Sequence, residues 1–299
     1  MKIGVIVPQG WTGEYDGWDG NGAWARTKAV AAQAEALGFE SIWLFDHFHT
    51  VPKPTDEITF ESFTTLSALA ALTERVRLGH IVICNGFRNP ALTAKMAATI
   101  DTISDGRFEL GIGAGWKREE WLAYGYGFPE TRQRLDMLRD GLEVITRMLE
   151  PGRQRATHDG EHASVRGAIN LPRRQQPPRM PIMVGGNGPE VTWRLAARFA
   201  DELNVDAMTP DELRRALPVI RSRCEEIDRD PDSLTVSLHV WWGDPAWRAP
   251  GEPRRAFLAE LAELGLSRVI GLLQESADDD AALELLAEDT RAAGLTLAS

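Results

Sequence analysis

The stretch RVRLGHIVICNGFRNPALTAKMAATIDTISDGRFELGIGAGWKREEWLAYG, residues 75–125, decides the fold. It opens with VRLGHIVI (76–83) and carries RFELGIG (107–113), with a helical pattern between them. Both runs are apolar at nearly every position. That suits strands of a parallel sheet covered on both faces, not the alternation of a half-exposed sheet. The pattern recurs outward in both directions. KIGVIV (2–7) and SIWLF (41–45) precede it; PIMVG (181–185), ELNV (202–205), LTVSLHVW (234–241) and RVIGLL (268–273) follow. Amphipathic helices intervene. Leu135, Leu138, Leu142, Ile145 and Leu149 repeat at three- and four-residue steps until Pro151 and Gly152 stop them. A first helix over about 24–37 ends at Gly38 and a seventh over about 254–264 ends at Gly265, both suited to the position after a helix C-terminus. Eight strand–helix pairs predict an α/β fold: one (β/α)8 TIM barrel domain over residues 1–299, with insertion loops. The competing architecture is a doubly wound open sheet. Its usual G-x-G-x-x-G after the first strand is replaced here by Pro8-Gln9-Gly10-Trp11.

Composition narrows the function classes. Among 299 residues, 43% are hydrophobic and 26% charged, a mixture that folds. Two cysteines, Cys84 and Cys224, exclude a disulfide scaffold. The 33 basic residues against 44 acidic ones give a net charge of −11, which repels phosphate backbones and argues against nucleic acid. No apolar run approaches the roughly 18 residues of a membrane span. MKIGVIVP at the start has no signal-peptide layout. A cytoplasmic protein acting on a small molecule is expected.

Two insertions stand out, 9–23 and 151–180, the second with a short hairpin near 157–168. Asp278-Asp279-Asp280 is expected to cap the last helix. In such barrels the active site lies at the C-terminal ends of the strands. Asp46-His47-Phe48-His49 follows the second strand: a carboxylate and an imidazole that can hold a ring and move a proton. The His47-x-His49 pair also fits a metal site, but further ligands from other strand ends are lacking, and no metal is expected. After the third strand come Cys84 and the run to Pro90, with His80 inside the strand as a core histidine. After the fourth come the glycines around Gly115-Trp116, which let a planar ligand approach the backbone. After the fifth, Gly185-Gly186-Asn187-Gly188-Pro189 reads as a helix start, with Gly188 the cap and Pro189 the first helical residue, able to cradle an anion. Trp11, Trp18, Trp43, Trp116, Trp121, Trp241 and Trp242 fall near strand ends or in the first loop and could wall a pocket or fill the core; Trp247 is grouped with the wall and Trp193 with the core.

Together SIWLFDHF (41–48), the opening stretch and PIMVGGNGPEVTWRLAARFADELNV (181–205) make the chain resemble the luciferase-like flavin and deazaflavin oxidoreductases, in the branch that uses coenzyme F420. The resemblance implies a TIM barrel with the ring of F420 over its mouth, or of FMN in the alternative. It places Asp46 and His47 beside the ring, with His47 as general acid or base and Glu61 as a helping acid facing the pocket. It implies a non-proline cis peptide at Ile81–Val82, forming a bulge behind the ring. Cys84 and His80 stand where the family usually has threonine. Gly115 and Trp116 would line the cofactor channel, and Gly185, Gly186, Asn187 and Gly188 would bind the cofactor phosphate. The implied activity is hydride transfer between F420 and a small organic substrate by a homodimer. The alternatives are an FMN-dependent monooxygenase and a non-catalytic flavin-binding protein.

Overall fold

The computed structural model describes residues 1–172 and 179–298. In chain order the elements are β1 (Lys2–Ile6), α1 (Gly20–Leu37), β2 (Ser41–Leu44), α2 (Ser62–Leu72), β3 (Arg77–His80), β4 (Ile83–Cys84), α3 (Pro90–Ile103), β5 (Phe108–Gly113), α4 (Arg118–Ala123) and α5 (Thr131–Leu149). There follow β6 (Ala156–Asp159), β7 (Ser164–Ala168), β8 (Ile182–Gly185), α6 (Thr192–Phe199), β9 (Glu202–Asp206), α7 (Pro210–Glu225), β10 (Thr235–Val240), α8 (Pro245–Arg248), α9 (Glu252–Glu263), β11 (Arg268–Leu272) and α10 (Ala281–Ala292).

All pairings of the main sheet are parallel, in the order β3-β2-β1-β11-β10-β9-β8-β5, and β3 pairs with β5 to close the ring. That is the eight-stranded barrel the apolar runs predict. The third run is broken in two. β3 stops at His80, the Ile81–Val82 peptide is cis, and β4 resumes beside β5 with Cys84 opposite Gly113. β6 and β7 form an antiparallel hairpin in the second insertion. Its segment 173–178 lies outside the described residues.

Alternate strand residues serve two cores. Ile3, Val5 and Val269 pack outward under the helices with Leu138, Leu142 and Ile145 of α5. Ile6, Trp43, Phe45, Met183, Ile270 and Leu272 fill the barrel interior. The end where the strands begin is closed by charge. Arg268 binds Glu109 at 2.8 Å, lies 3.3 Å from Glu40 and 3.6 Å from Glu202, and Arg77 pairs with Glu109 from the other side.

Two helix starts differ from the sequence reading, and the acidic run caps the last helix through one of its members. α1 begins at Gly20, not near 24, because Asp19 accepts the amides of Asn21 and Gly22. α6 begins at Thr192 after a turn, so neither Gly188 nor Pro189 has its expected role. Of the acidic run, Asp279 accepts the amide of Ala281, whereas Asp280 is drawn away to Arg26 at 2.5 Å.

Candidate active site

A cleft of about 1030 Å³, counted to its open mouth, lies at the C-terminal ends of the strands. Its floor is built of glycines with the Val82 and Cys84 side chains packed onto them. A Cβ on Gly113 or Gly185 would sit 2.9 or 2.8 Å from the methyls of Val82, so neither position can carry a side chain without moving that wedge. Gly115, at φ +80°, is similarly forced: its Cβ would meet the Cys84 sulfur at 2.3 Å. The glycines make room for the Val82 and Cys84 side chains, which line the cleft there.

His47 stands over it. Its Nδ1 lies 2.6 Å from Oε2 of Glu120, a fully buried side chain whose other oxygen accepts the Phe48 amide at 2.9 Å. A carboxylate only accepts, so Nδ1 carries the hydrogen and Nε2 is left for the cleft. The ring lies flat on Trp11, with centroids 3.9 Å apart. Gln9 anchors that arrangement by bonding both backbone groups of Phe45 and the carbonyl of Phe60. His49 turns its Nδ1 to its neighbour's carbonyl, 4.0 Å from Glu120.

Asp46 also lines the cleft, but its carboxylate is engaged elsewhere. It takes two bonds of 2.8 Å from Arg88, one from Ser62 and the Cys84 amide. Burial pushes its pKa up; the Arg88 guanidinium overrides this and holds it below the usual carboxylate range. The pair therefore ties the ends of β2 and β4 together.

Glu61 is a correction. It does not line the cleft. It caps α2, accepting the Phe63 and Thr64 amides, and reaches the far side of Arg88 at 2.8 Å. An N-cap carboxylate beside a guanidinium is already committed on both oxygens, and the carboxylate in contact with His47 is that of Glu120. Asn187 and Gly188 also fall outside the cleft lining, which passes from Gly186 to Thr192. Asn187 instead clamps the Asp206 backbone at both its amide and carbonyl.

Ile81, Val82, Cys84, Gly115, Trp116, Gly185 and Gly186 do line it. Burial lifts the Cys84 thiol to about 12 and lowers His80 to about 4, keeping both neutral. His80 is fully buried against Phe63 and Phe108, a core residue as expected. Of the tryptophans, Trp43 and Trp247 are enclosed in the protein, Trp247 bonding the Leu272 carbonyl, so Trp247 is no part of the mouth. Trp193 is also core, and its indole supports the Gly186 carbonyl.

Sequence reasoning missed a second constellation. Asp206, at the end of β9, accepts His239 Nδ1 at 2.8 Å and Trp241 Nε1 at 2.7 Å, on the wall of the cleft. The signal was there: His239 has the inward parity of Ser237 in its strand, and Ser237 bonds Asn204 inside the barrel.

A profile of the family described as luciferase-like monooxygenase matches residues 1–293. An F420-dependent glucose-6-phosphate dehydrogenase of Kineococcus radiotolerans is 37% identical over 213 residues, covering 70% of this chain and 61% of its own length. The chain thus spans about three-fifths of that relative. An uncharacterised protein of Mycobacterium tuberculosis is 31% identical over 275 residues, 86% of this chain and 90% of its own. The solved structure of an F420-dependent secondary alcohol dehydrogenase with an F420–acetone adduct superposes with a TM-score of 0.82 at 19% identity, covering 98% of each chain, and shows the same fold. With its profile matched over nearly all its length, the chain belongs to the luciferase-like monooxygenase family.

Proposed function

We propose that this protein is an oxidoreductase that moves hydride between coenzyme F420 and a small organic substrate, with His47 as general acid or base. The observation that carries the reading is the His47–Glu120 pair: an imidazole lining the cleft with one nitrogen fixed at 2.6 Å and the other left for a ligand. The relative from Kineococcus, named for F420, supports the choice of cofactor.

The cleft fits a flat ring, because Gly113 and Gly185 let the Val82 side chain seat close against the strand backbone instead of standing up into the cleft. Ile81, Val82 and Cys84 would back the ring, Gly115 and Trp116 would line its channel, and the Gly185–Gly186 turn with Thr192 would take the phosphate. When bound, the deazaflavin supplies hydride chemistry; the protein supplies binding, orientation and a proton. Glu120 fixes the His47 tautomer and stabilises the imidazolium. His47 Nε2 gives or takes the proton at the substrate. Trp11 and Trp116 hold the imidazole from a face and an edge. Asp46 and Arg88 hold the strand ends that carry these groups.

Titrating the protein separately with F420 and FMN, followed by tryptophan emission, tests the cofactor. F420 is expected to bind tighter. Oxygen uptake with reduced FMN and substrate would move the reading to a monooxygenase, and binding without any turnover to a flavin-binding protein. His47→Ala is expected to lose turnover by roughly 10²–10⁴-fold at nearly unchanged cofactor affinity; full turnover removes His47 from the mechanism. The proposal extends to a cytoplasmic homodimer. No helix among the described residues is long and apolar enough to cross a membrane. Sedimentation at the 33.1 kDa of one chain would remove the dimer.

A further inference from the structure

Five rings follow one another around the rim of the cleft. Trp116 meets His47 edge-on at 6.0 Å, and His47 lies flat on Trp11 at 3.9 Å. Trp11 meets Trp242 edge-on at 5.4 Å, and Trp242 stacks on Trp241 at 4.8 Å. The arc runs from the loop after β5, past those after β2 and β1, to the loop after β10. Its ends are open: Trp116 is 58% exposed and Trp241 37% exposed. Indoles left uncovered at a cleft are surface that a ligand can bury.

The charges select among ligands. A carboxylate stands behind each half of the arc, Glu120 at His47 and Asp206 at Trp241. Among the described residues lining the cleft, Lys117 is the one lysine or arginine. Its amine is already drawn over Trp116 at 5.6 Å and towards Glu119 at 3.8 Å. A phosphate dianion within the arc would face the Glu120 and Asp206 carboxylates, whose partners are the His47 and His239 imidazoles, with a single lysine, itself shared with Glu119, to attract it.

Resting on the function proposed above, we infer that the substrate is an uncharged compound with a flat, apolar body, stacked within the arc, its oxygen hydrogen-bonded to His47 Nε2. A phosphorylated sugar, for which the Kineococcus relative is named, does not suit this mouth.

Calorimetric titration tests the inference, with acetophenone, benzaldehyde and 1-phenylethanol set against glucose 6-phosphate. Each is added to the protein alone and to the protein saturated with F420. At least one uncharged probe is expected to saturate and glucose 6-phosphate to give no saturable heat. Trp241→Ala should weaken the uncharged probes about tenfold while F420 affinity holds, and Trp241→Phe, which keeps a ring, should restore most of the loss. Tighter binding of glucose 6-phosphate, no saturation by any of the three, or indifference to Trp241→Ala overturns the inference. If F420 fails to bind while the probes still do, the cofactor reading falls and the preference of the mouth stands.

Discussion

Glu120 reaches His47 across 73 residues of sequence, and no local pattern announces the pair. Asp46 and His47 were legible because they follow an apolar strand; the partners that decide their roles were not. Glu61 shows the reverse error. A carboxylate opening a helix read as a pocket acid, but its oxygens are taken by two backbone amides and Arg88. Which acid serves a histidine depends on which loops the barrel brings together, and that is tertiary information. Glu120→Gln provides the test at this scale. It keeps an acceptor for Nδ1 and removes the carboxylate charge beside the ring. We expect turnover to fall by about 10²-fold and cofactor affinity to hold. Unchanged turnover would make Glu120 a packing residue only.

Strands were more legible than helix starts. A parallel strand buried on both faces carries a continuous apolar run, whereas a helix start depends on one capping side chain, as Asp19 shows. Continuous runs also hide parity. β9 turns Glu202, Asn204 and Asp206 towards the barrel axis, and the first of these meets the polar plug. Burial raises the Glu202 carboxyl to about 7; Arg268 opposes this, and the charge of Glu109 adds to it. A folded-state pKa above the unfolded value contributes stability that is complete below the unfolded pKa and is lost as the pH rises through the folded one. Glu202→Gln should therefore behave like the parent near pH 4 and resist urea better than the parent above about pH 8. Parallel urea midpoints for both proteins across that range would refute the assignment.

The whole barrel has two unlike ends. Where the strands begin, Arg268 gathers Glu40, Glu109 and Glu202 beneath the ring of Trp43, 5.1 Å from the guanidinium. Where they finish, the cleft opens. The apolar runs predicted the closed ring, but the charged plug was invisible because its members come from separate strands and loops. Arg268→Leu leaves buried carboxylates facing one another and should cost about 3–5 kcal/mol in a urea titration. A loss under about 1 kcal/mol would mean that the plug is hydrated. At the open end, the flat contact of Trp11 on His47 has an optical consequence. A protonated imidazole drains the emission of an indole it touches, so part of the protein's own ultraviolet glow is tied to the ionisation of the residue assigned to proton transfer. An acid titration of that glow, compared between the parent and Trp11→Phe, reads this ionisation directly, with no added dye and no turnover.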